Sequence, residues 1–89
     1  MAYVDLDALT EFESAARNGR ADALYNLGLA YSTGQGVHVD YVAAHKWFNL
    51  AAMKGVNAAR TWRAQLSREM STGQIAEAQR QAREWLLRH

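Results

Sequence analysis

The side chains of this chain that could act as nucleophiles are its serines, because it contains no cysteine. A catalytic serine is usually recognised by a G-x-S-x-G turn or an S-x-x-K pair, which expose and activate the hydroxyl. None of the serines stands in either pattern; they are Ser14, Ser32, Ser67 and Ser71. Ser71 is better explained as the cap of a helix. The sequence therefore predicts that the protein is not an enzyme.

The histidines and glycines do not form a ligand site either. His38, His45 and His89 are widely separated, and no carboxylate lies one helical turn from His45, as a metal site would need. The G-x-G-V segment at 34–37 follows a predicted helix rather than a strand, so it is read as a turn and not as a phosphate loop. We expect neither a metal nor a cofactor.

Apolar residues at helical spacing predict the elements that must position these side chains. Asp40 and Asn57 are predicted to cap helices, and Ser71 with Gln74 matches a capping box. Glycines follow the periodic segments, as is common where helices end. We predict five helices, from Asp5 or Asp7 to Asn18 and over 21–33, 41–54, 58–69 and 72–87.

Length and composition favour one small domain of 89 residues. No stretch approaches the roughly 20 apolar residues of a membrane span, and the acidic start lacks the features of a secretory signal. We therefore expect a cytoplasmic protein. The net charge of +1 is uneven, at −2 over residues 1–56 and +3 over residues 57–89.

The chain partly repeats itself at an offset of 36 residues, with 12–24 lying over 48–60. The matched pairs are aromatic, small or glycine, and they are Phe12 with Phe48, Ala15 with Ala51, Ala16 with Ala52, Gly19 with Gly55, and Ala23 with Ala59. Stacked helical repeats show this pattern because each unit presents the same close-packing surface to the next.

Residues 21–59 carry a more specific signature. Thirteen spaced positions fit a small residue, then L-G-x-x-Y-x-x-G-x-G-V-x-x-D, then A-x-x-W-x-x-x-A-A-x-x-G; they are Ala23, Leu27, Gly28, Tyr31, Gly34, Gly36, Val37, Asp40, Ala44, Trp47, Ala51, Ala52 and Gly55. This segment resembles the Sel-one-like repeat (SLR) family, a relative of the tetratricopeptide repeat. The pattern departs from the family after residue 60, where Arg63 and Ala64 stand in place of Leu-Gly.

The resemblance implies an all-α fold, a short α/α superhelical repeat. We predict a single domain with an N-terminal capping helix over 1–20, one full repeat over 21–56 and a C-terminal capping helix pair over 57–89. Gly28 and Ala44 would let two helix backbones approach closely, while Trp47 and Tyr31 would fill the space between layers.

The resemblance also implies a protein–protein interaction module, a small adaptor whose concave face takes a protein or peptide partner. In such solenoids the first helix of each pair lines the groove. Trp62 beside Arg63 is the best predicted anchor, because aromatic and arginine side chains dominate binding energy. The predicted groove residues are Asn26, Leu29, Ala30, Thr33, Trp62, Arg63 and Leu66.

Two alternatives remain open from the sequence. An end face carrying Leu6, Leu9 or Trp85 could pair with a second copy in a homodimer. The arginine-rich C-terminal helices could instead bind nucleic acid or a ligand, if Arg60, Arg63, Arg80 and Arg83 share one surface.

Overall fold

The structure, a computed structural model, describes residues 6–89 and their side chains from Leu9 onward. It confirms the all-α prediction, and no strand occurs between residues 6 and 89. None of these helices is long and apolar enough to cross a membrane. The helices are α1 (Leu6–Arg17), α2 (Ala21–Thr33), α3 (Tyr41–Met53), α4 (Asn57–Glu69) and α5 (Thr72–Arg88).

Two of the predicted helix caps are present. The carboxylate of Asp40 accepts a hydrogen bond of 3.1 Å from the Ala43 N–H at the start of α3. Ser71 and Gln74 form the predicted capping box, with both reciprocal hydrogen bonds made. Asp5 lies outside the described residues, as does the side chain of Asp7.

The predicted cap of α4 was wrong. Asn57 is the first residue of the helix, Val56 takes the N-cap position, and no side chain caps this end. The reason is that Val56 also closes α3, since its N–H donates to the Ala51 carbonyl at 3.1 Å beyond the left-handed Gly55. One residue therefore both ends α3 and begins α4, which leaves no position for a separate capping side chain.

The connection between α2 and α3 is a tight reversal. Gly34 and Gly36 have φ values of +76° and +78°, a conformation that glycine adopts without strain. The N–H groups of Gly34 and Gln35 both donate to the Ala30 carbonyl, which closes the last turn of α2.

Helix α3 occupies the centre of the fold. It packs against α2, α4 and α5, whereas α1 packs against α2. A helix buried on most of its circumference should be apolar on most of its faces, and α3 is. Its buried residues are Ala44, His45, Trp47, Phe48, Leu50, Ala51 and Ala52.

The phenyl ring of Phe48 joins α3 to α2 and α4. It lies beside the Tyr25 ring at a centroid distance of 5.8 Å and stacks on the Trp62 indole at 6.1 Å. A Cβ atom built on Gly28 would stand 2.5 Å from this ring. The expected close approach of two backbones at Gly28 is therefore, in the structure, the approach of an aromatic ring to a backbone.

Helix α5 is fixed to the other side of α3 by two indoles. Trp47 is 7% exposed and meets Trp85 edge to face, with ring centroids 4.8 Å apart. The radius of gyration is 12.0 Å, and a globular chain of this length is expected at about 12 Å. The described helices therefore form one rounded body rather than an extended superhelix.

We predict that Gly28→Ala destabilises the protein by roughly 1–3 kcal/mol, because the new methyl group would overlap the Phe48 ring. The gain in helix propensity from glycine to alanine, at most about 1 kcal/mol, offsets part of this loss. Urea denaturation monitored by circular dichroism measures the change.

Gly73→Ala is the matched control for this substitution. Gly73 lies in the exposed first turn of α5, where a Cβ would meet nothing nearer than 3.9 Å. This variant should be as stable as the parent or slightly more stable. Equal unfolding free energies for the two alanine variants would show that the packing of Phe48 against α2 does not depend on the absence of a Cβ at position 28.

Candidate interaction surface

A shallow cleft lies between α2 and α4, the two helices that the sequence predicts to face a partner. Its volume is about 160 Å³. Thr33 and Gln65 are exposed at its edge, while Leu66 is buried beneath it. We call it the α2–α4 cleft, and its lining residues are Ser32, Thr33, Tyr41, Trp62, Gln65, Leu66 and Glu69.

Trp62 is the largest side chain of the α2–α4 cleft and is held on two sides. Its indole stacks on Phe48 with an angle of 10° between the rings, and its Nε1–H donates to the Tyr25 hydroxyl at 3.2 Å. The side chain is nevertheless 36% exposed. It is therefore a rigid aromatic surface that water still contacts, which is what an anchoring site for a partner requires.

Three of the seven predicted groove residues, Thr33, Trp62 and Leu66, line this one cleft. Leu66 is only 6% exposed, so it supports the cleft floor and offers little surface to a partner. Asn26 lies elsewhere, in a second hollow of about 200 Å³ between α1 and α2.

The other predicted groove residues mainly hold the helices in place. Ala30 is fully buried and cannot touch a partner without unfolding of α2. Leu29 is half-buried, and its carbonyl accepts hydrogen bonds from the hydroxyls of Ser32 and Thr33. Arg63 is half-buried and donates to the Asn49 side chain on α3, so its guanidinium is directed to the neighbouring helix.

Tyr25, Gln65 and Glu69 are missing from the groove residues predicted from the sequence. On α4 the missed residues follow Trp62 by three and seven positions, which is the spacing of one helix face. Extending the predicted face along α4 by this rule would have found them. Tyr25 offers no such signal, because its importance comes from the hydroxyl that reaches Trp62 on another helix.

The buried His45 and the half-buried Ser67 form a pair that resembles a catalytic dyad but has a different hydrogen-bond direction. The Ser67 hydroxyl donates its proton to the Arg63 carbonyl at 2.9 Å. His45 Nε2, 3.0 Å from the same hydroxyl oxygen, must therefore be the donor, and Nδ1 is left without a partner in the described structure. Because the imidazole does not accept the serine proton, this geometry does not activate Ser67 as a nucleophile.

Burial lowers the pKa of His45 below its ordinary value of 6.5, and the nearby positive charge of Arg63 adds to the effect. The side chain is 2% exposed. Both causes act against the charged imidazolium, so the folded protein keeps His45 neutral at pH 7.

The arginines of the C-terminal helices do not form one uncompensated surface. Arg80 lies between Glu77 and Glu84, with ion pairs of 2.6 and 2.9 Å, and its hydrogen bond lowers the pKa of Glu77 to about 2. Glu84 also pairs with Arg88 at 3.6 Å. Much of the positive charge of α5 is therefore matched by its own carboxylates.

The predicted end face for dimerisation is only partly accessible. Leu9 is 5% exposed and belongs to the core, and Trp85 is half-buried against Trp47. The side chain of Leu6 lies outside the described part of the chain. From Leu9 to the C-terminus, no three histidine, aspartate or glutamate side chains are grouped closely enough to hold a metal ion.

Comparison with protein families gives one match. The family model described as Sel1 repeat matches residues 21–56 and residues 64–88, which together make up more than half of the chain. The first match covers α2 and α3, and the second covers the end of α4 and all of α5. No curated protein matches the chain.

The buried His45 predicts a pH dependence of stability. Because the folded-state pKa lies below 6.5, the unfolded chain takes up the proton first as the pH falls. The contribution of neutral His45 to the unfolding free energy should therefore be fully present above about pH 6.5. Below that pH it should decrease, until the imidazole of the folded protein is protonated as well. Thermal melting at about pH 7.5 and about pH 5 measures the loss.

His45→Gln is the control, because glutamine keeps a donor but does not titrate. His38 and His89 are unchanged in both proteins and cancel from the comparison. The parent should lose more melting temperature than His45→Gln over this interval. If both proteins lose the same amount, His45 does not cause the acid sensitivity.

Proposed function

The chain belongs to the Sel1 repeat family, and we propose that it is a non-enzymatic adaptor that binds a protein or peptide partner through the α2–α4 cleft. Sel1 repeats are generally protein–protein interaction modules. The absence of cysteine from the sequence agrees with a cytoplasmic protein, which is the compartment we propose.

The observation that carries this proposal is the half-exposed, immobilised indole of Trp62. A partner side chain that stacks on it would bury apolar area without the cost of ordering a mobile tryptophan, since Phe48 and Tyr25 already hold the ring. Trp62 is therefore the proposed hot spot of the surface, as aromatic side chains often are.

The edge of the α2–α4 cleft suits a partner surface of mixed polarity. Thr33, Gln65 and Glu69 are exposed around the indole and can exchange hydrogen bonds with a partner backbone. An apolar centre with a polar rim is the usual arrangement in protein interfaces. A protein or peptide fits this arrangement better than nucleic acid, because Glu69 would repel phosphates.

Both alternatives are less well supported by the described residues. The dimer interface would lack Leu9, which is buried, and the nucleic-acid surface would lack Arg80, which is paired with two carboxylates. We retain them as outcomes that the experiment below can reveal.

We predict that Gln65→Arg weakens partner binding at least tenfold while leaving the fold intact, because an exposed arginine would obstruct the cleft beside Trp62. The measurement is affinity capture by the tagged chain from its source lysate, followed by titration of the recovered protein against parent and variant.

Gln79→Arg is the matched control, since it makes the same change at an exposed position of α5 that does not line the cleft. It should bind as the parent does. Equal loss of the partner in both variants, or recovery of nucleic acid alone, would contradict the proposed site. Recovery of the chain alone would direct the work to light scattering for self-association.

A further inference from the structure

A further hollow, which we call the terminal groove, lies where the ends of α1, α3 and α5 approach the start of α2. Its volume is about 290 Å³, near the lower limit of about 300–1,000 Å³ for ligand pockets. Leu24 and Leu50 line it and are each only 2% exposed, so they form its floor. It shares no lining residue with the α2–α4 cleft.

The sides of the terminal groove are apolar and exposed to water. Met53 is 60% exposed and Leu86 is 45% exposed, and both line the groove. Between them Trp85 is held by its edge contact with Trp47 and by the His89 ring, which stacks on it at 3.8 Å. The groove is thus formed before any ligand arrives, and it offers apolar area that a ligand could cover.

The charged side chains that line the terminal groove are both positive. Arg17 and Lys54 line it, and no aspartate or glutamate does. Among the described residues neither cation forms an ion pair, in contrast to Arg20 with Asp22 at 2.9 Å. The Lys54 ammonium lies 3.3 Å from the position of a Cβ on Gly19, so both cations stand where α1 ends.

Basic residues at helix ends can also serve only to balance the partial negative charge of free carbonyls. Here backbone N–H groups already donate to a carbonyl at the C-terminal end of α1 and to one at the C-terminal end of α3. The Ala16 carbonyl accepts from the Gly19 N–H at 2.9 Å, and the Ala51 carbonyl accepts from the Lys54 N–H at 3.0 Å. The side chains of Arg17 and Lys54 are therefore available to an external anion.

We propose that the terminal groove binds an acidic peptide segment in which a large apolar side chain is flanked by carboxylates. The apolar side chain would enter between Met53 and Leu86 above the leucine floor, and the carboxylates would pair with Arg17 and Lys54. The apolar area gives affinity, and the two cations set the position and sign of charge of the ligand. This is a second docking surface, independent of the α2–α4 cleft.

The test is calorimetric titration of the full chain with a short synthetic peptide that has Leu-Phe at its centre and Asp and Glu on both sides. We expect a dissociation constant below about 1 mM. Binding should weaken at least about tenfold when Asn and Gln replace the acidic residues, and it should also weaken as salt is added. Equal affinity of the neutral peptide, or no binding at about 1 mM, would overturn the proposal.

The double variant Arg17→Gln with Lys54→Gln should weaken binding of the acidic peptide about tenfold. Its control is Arg68→Gln with Arg83→Gln, which removes the same charge from exposed positions outside the groove and should change affinity less than about twofold. An equal loss in both double variants would mean that net charge alone attracts the peptide, which overturns the assigned site.

A further pair of variants tests the apolar part. Met53→Glu places a carboxylate in the groove and should abolish binding, whereas Leu87→Glu lies outside it at an 88% exposed position and should bind as the parent does. Melting curves confirm that both variants fold. A doubled mass in light scattering without peptide binding would show that a second copy occupies the groove and would refute the peptide assignment.

Discussion

The Phe48 ring lies close against α2 at Gly28, and the positions of α2 and α4 follow from this contact. The missing Cβ lets a full aromatic ring fit between α3 and α2, where any other residue at position 28 would force the helices apart. The same ring also stacks on Trp62 of α4. The proposed binding surface is therefore a direct consequence of how the core is packed, since the residue that fixes the helices also supports the exposed indole.

The two surfaces arise because α3 is enclosed by three helices while α1 packs mainly against α2. Both α2 and α4 pack against α3. A shallow cleft remains between them, and the partly exposed Trp62 lines it. Near the ends of α1, α3 and α5, apolar side chains line a groove that also carries two cations without an ion pair to any described residue. The α2–α4 cleft therefore lies between two helices that pack on a common neighbour, whereas the terminal groove lies where the ends of helices meet.

The helices could be predicted from the sequence because their signals are local. Periodicity, the Asp40 cap and the Ser71 capping box each depend on residues within one or two turns. Asn57 was assigned wrongly because the closing turn of α3 runs directly into α4. The surface was only partly predictable, since the exposure of a helix face depends on a third helix. Ala30 is fully buried and Trp62 remains accessible, although both occupy first helices of the expected pairs. The terminal groove has no local signature, because it forms only when three helix ends converge.

The distribution of burial also explains why binding and folding can be altered separately in this chain. The small residues that set the helix spacing, such as Ala44, Ala51 and Ala59, are fully buried, so substitutions there act on the whole fold. The side chains of Gln65, Met53 and Lys54 are exposed and make no hydrogen bond or ion pair with the described residues, so changing them should alter stability little. Trp62 is the exception, because the same indole packs on Phe48 and faces the solvent. Loss of binding after truncation of Trp62 could therefore come from lost packing on Phe48 or from lost contact with the partner. A substitution beside the indole, such as Gln65→Arg, tests the contact with the partner alone.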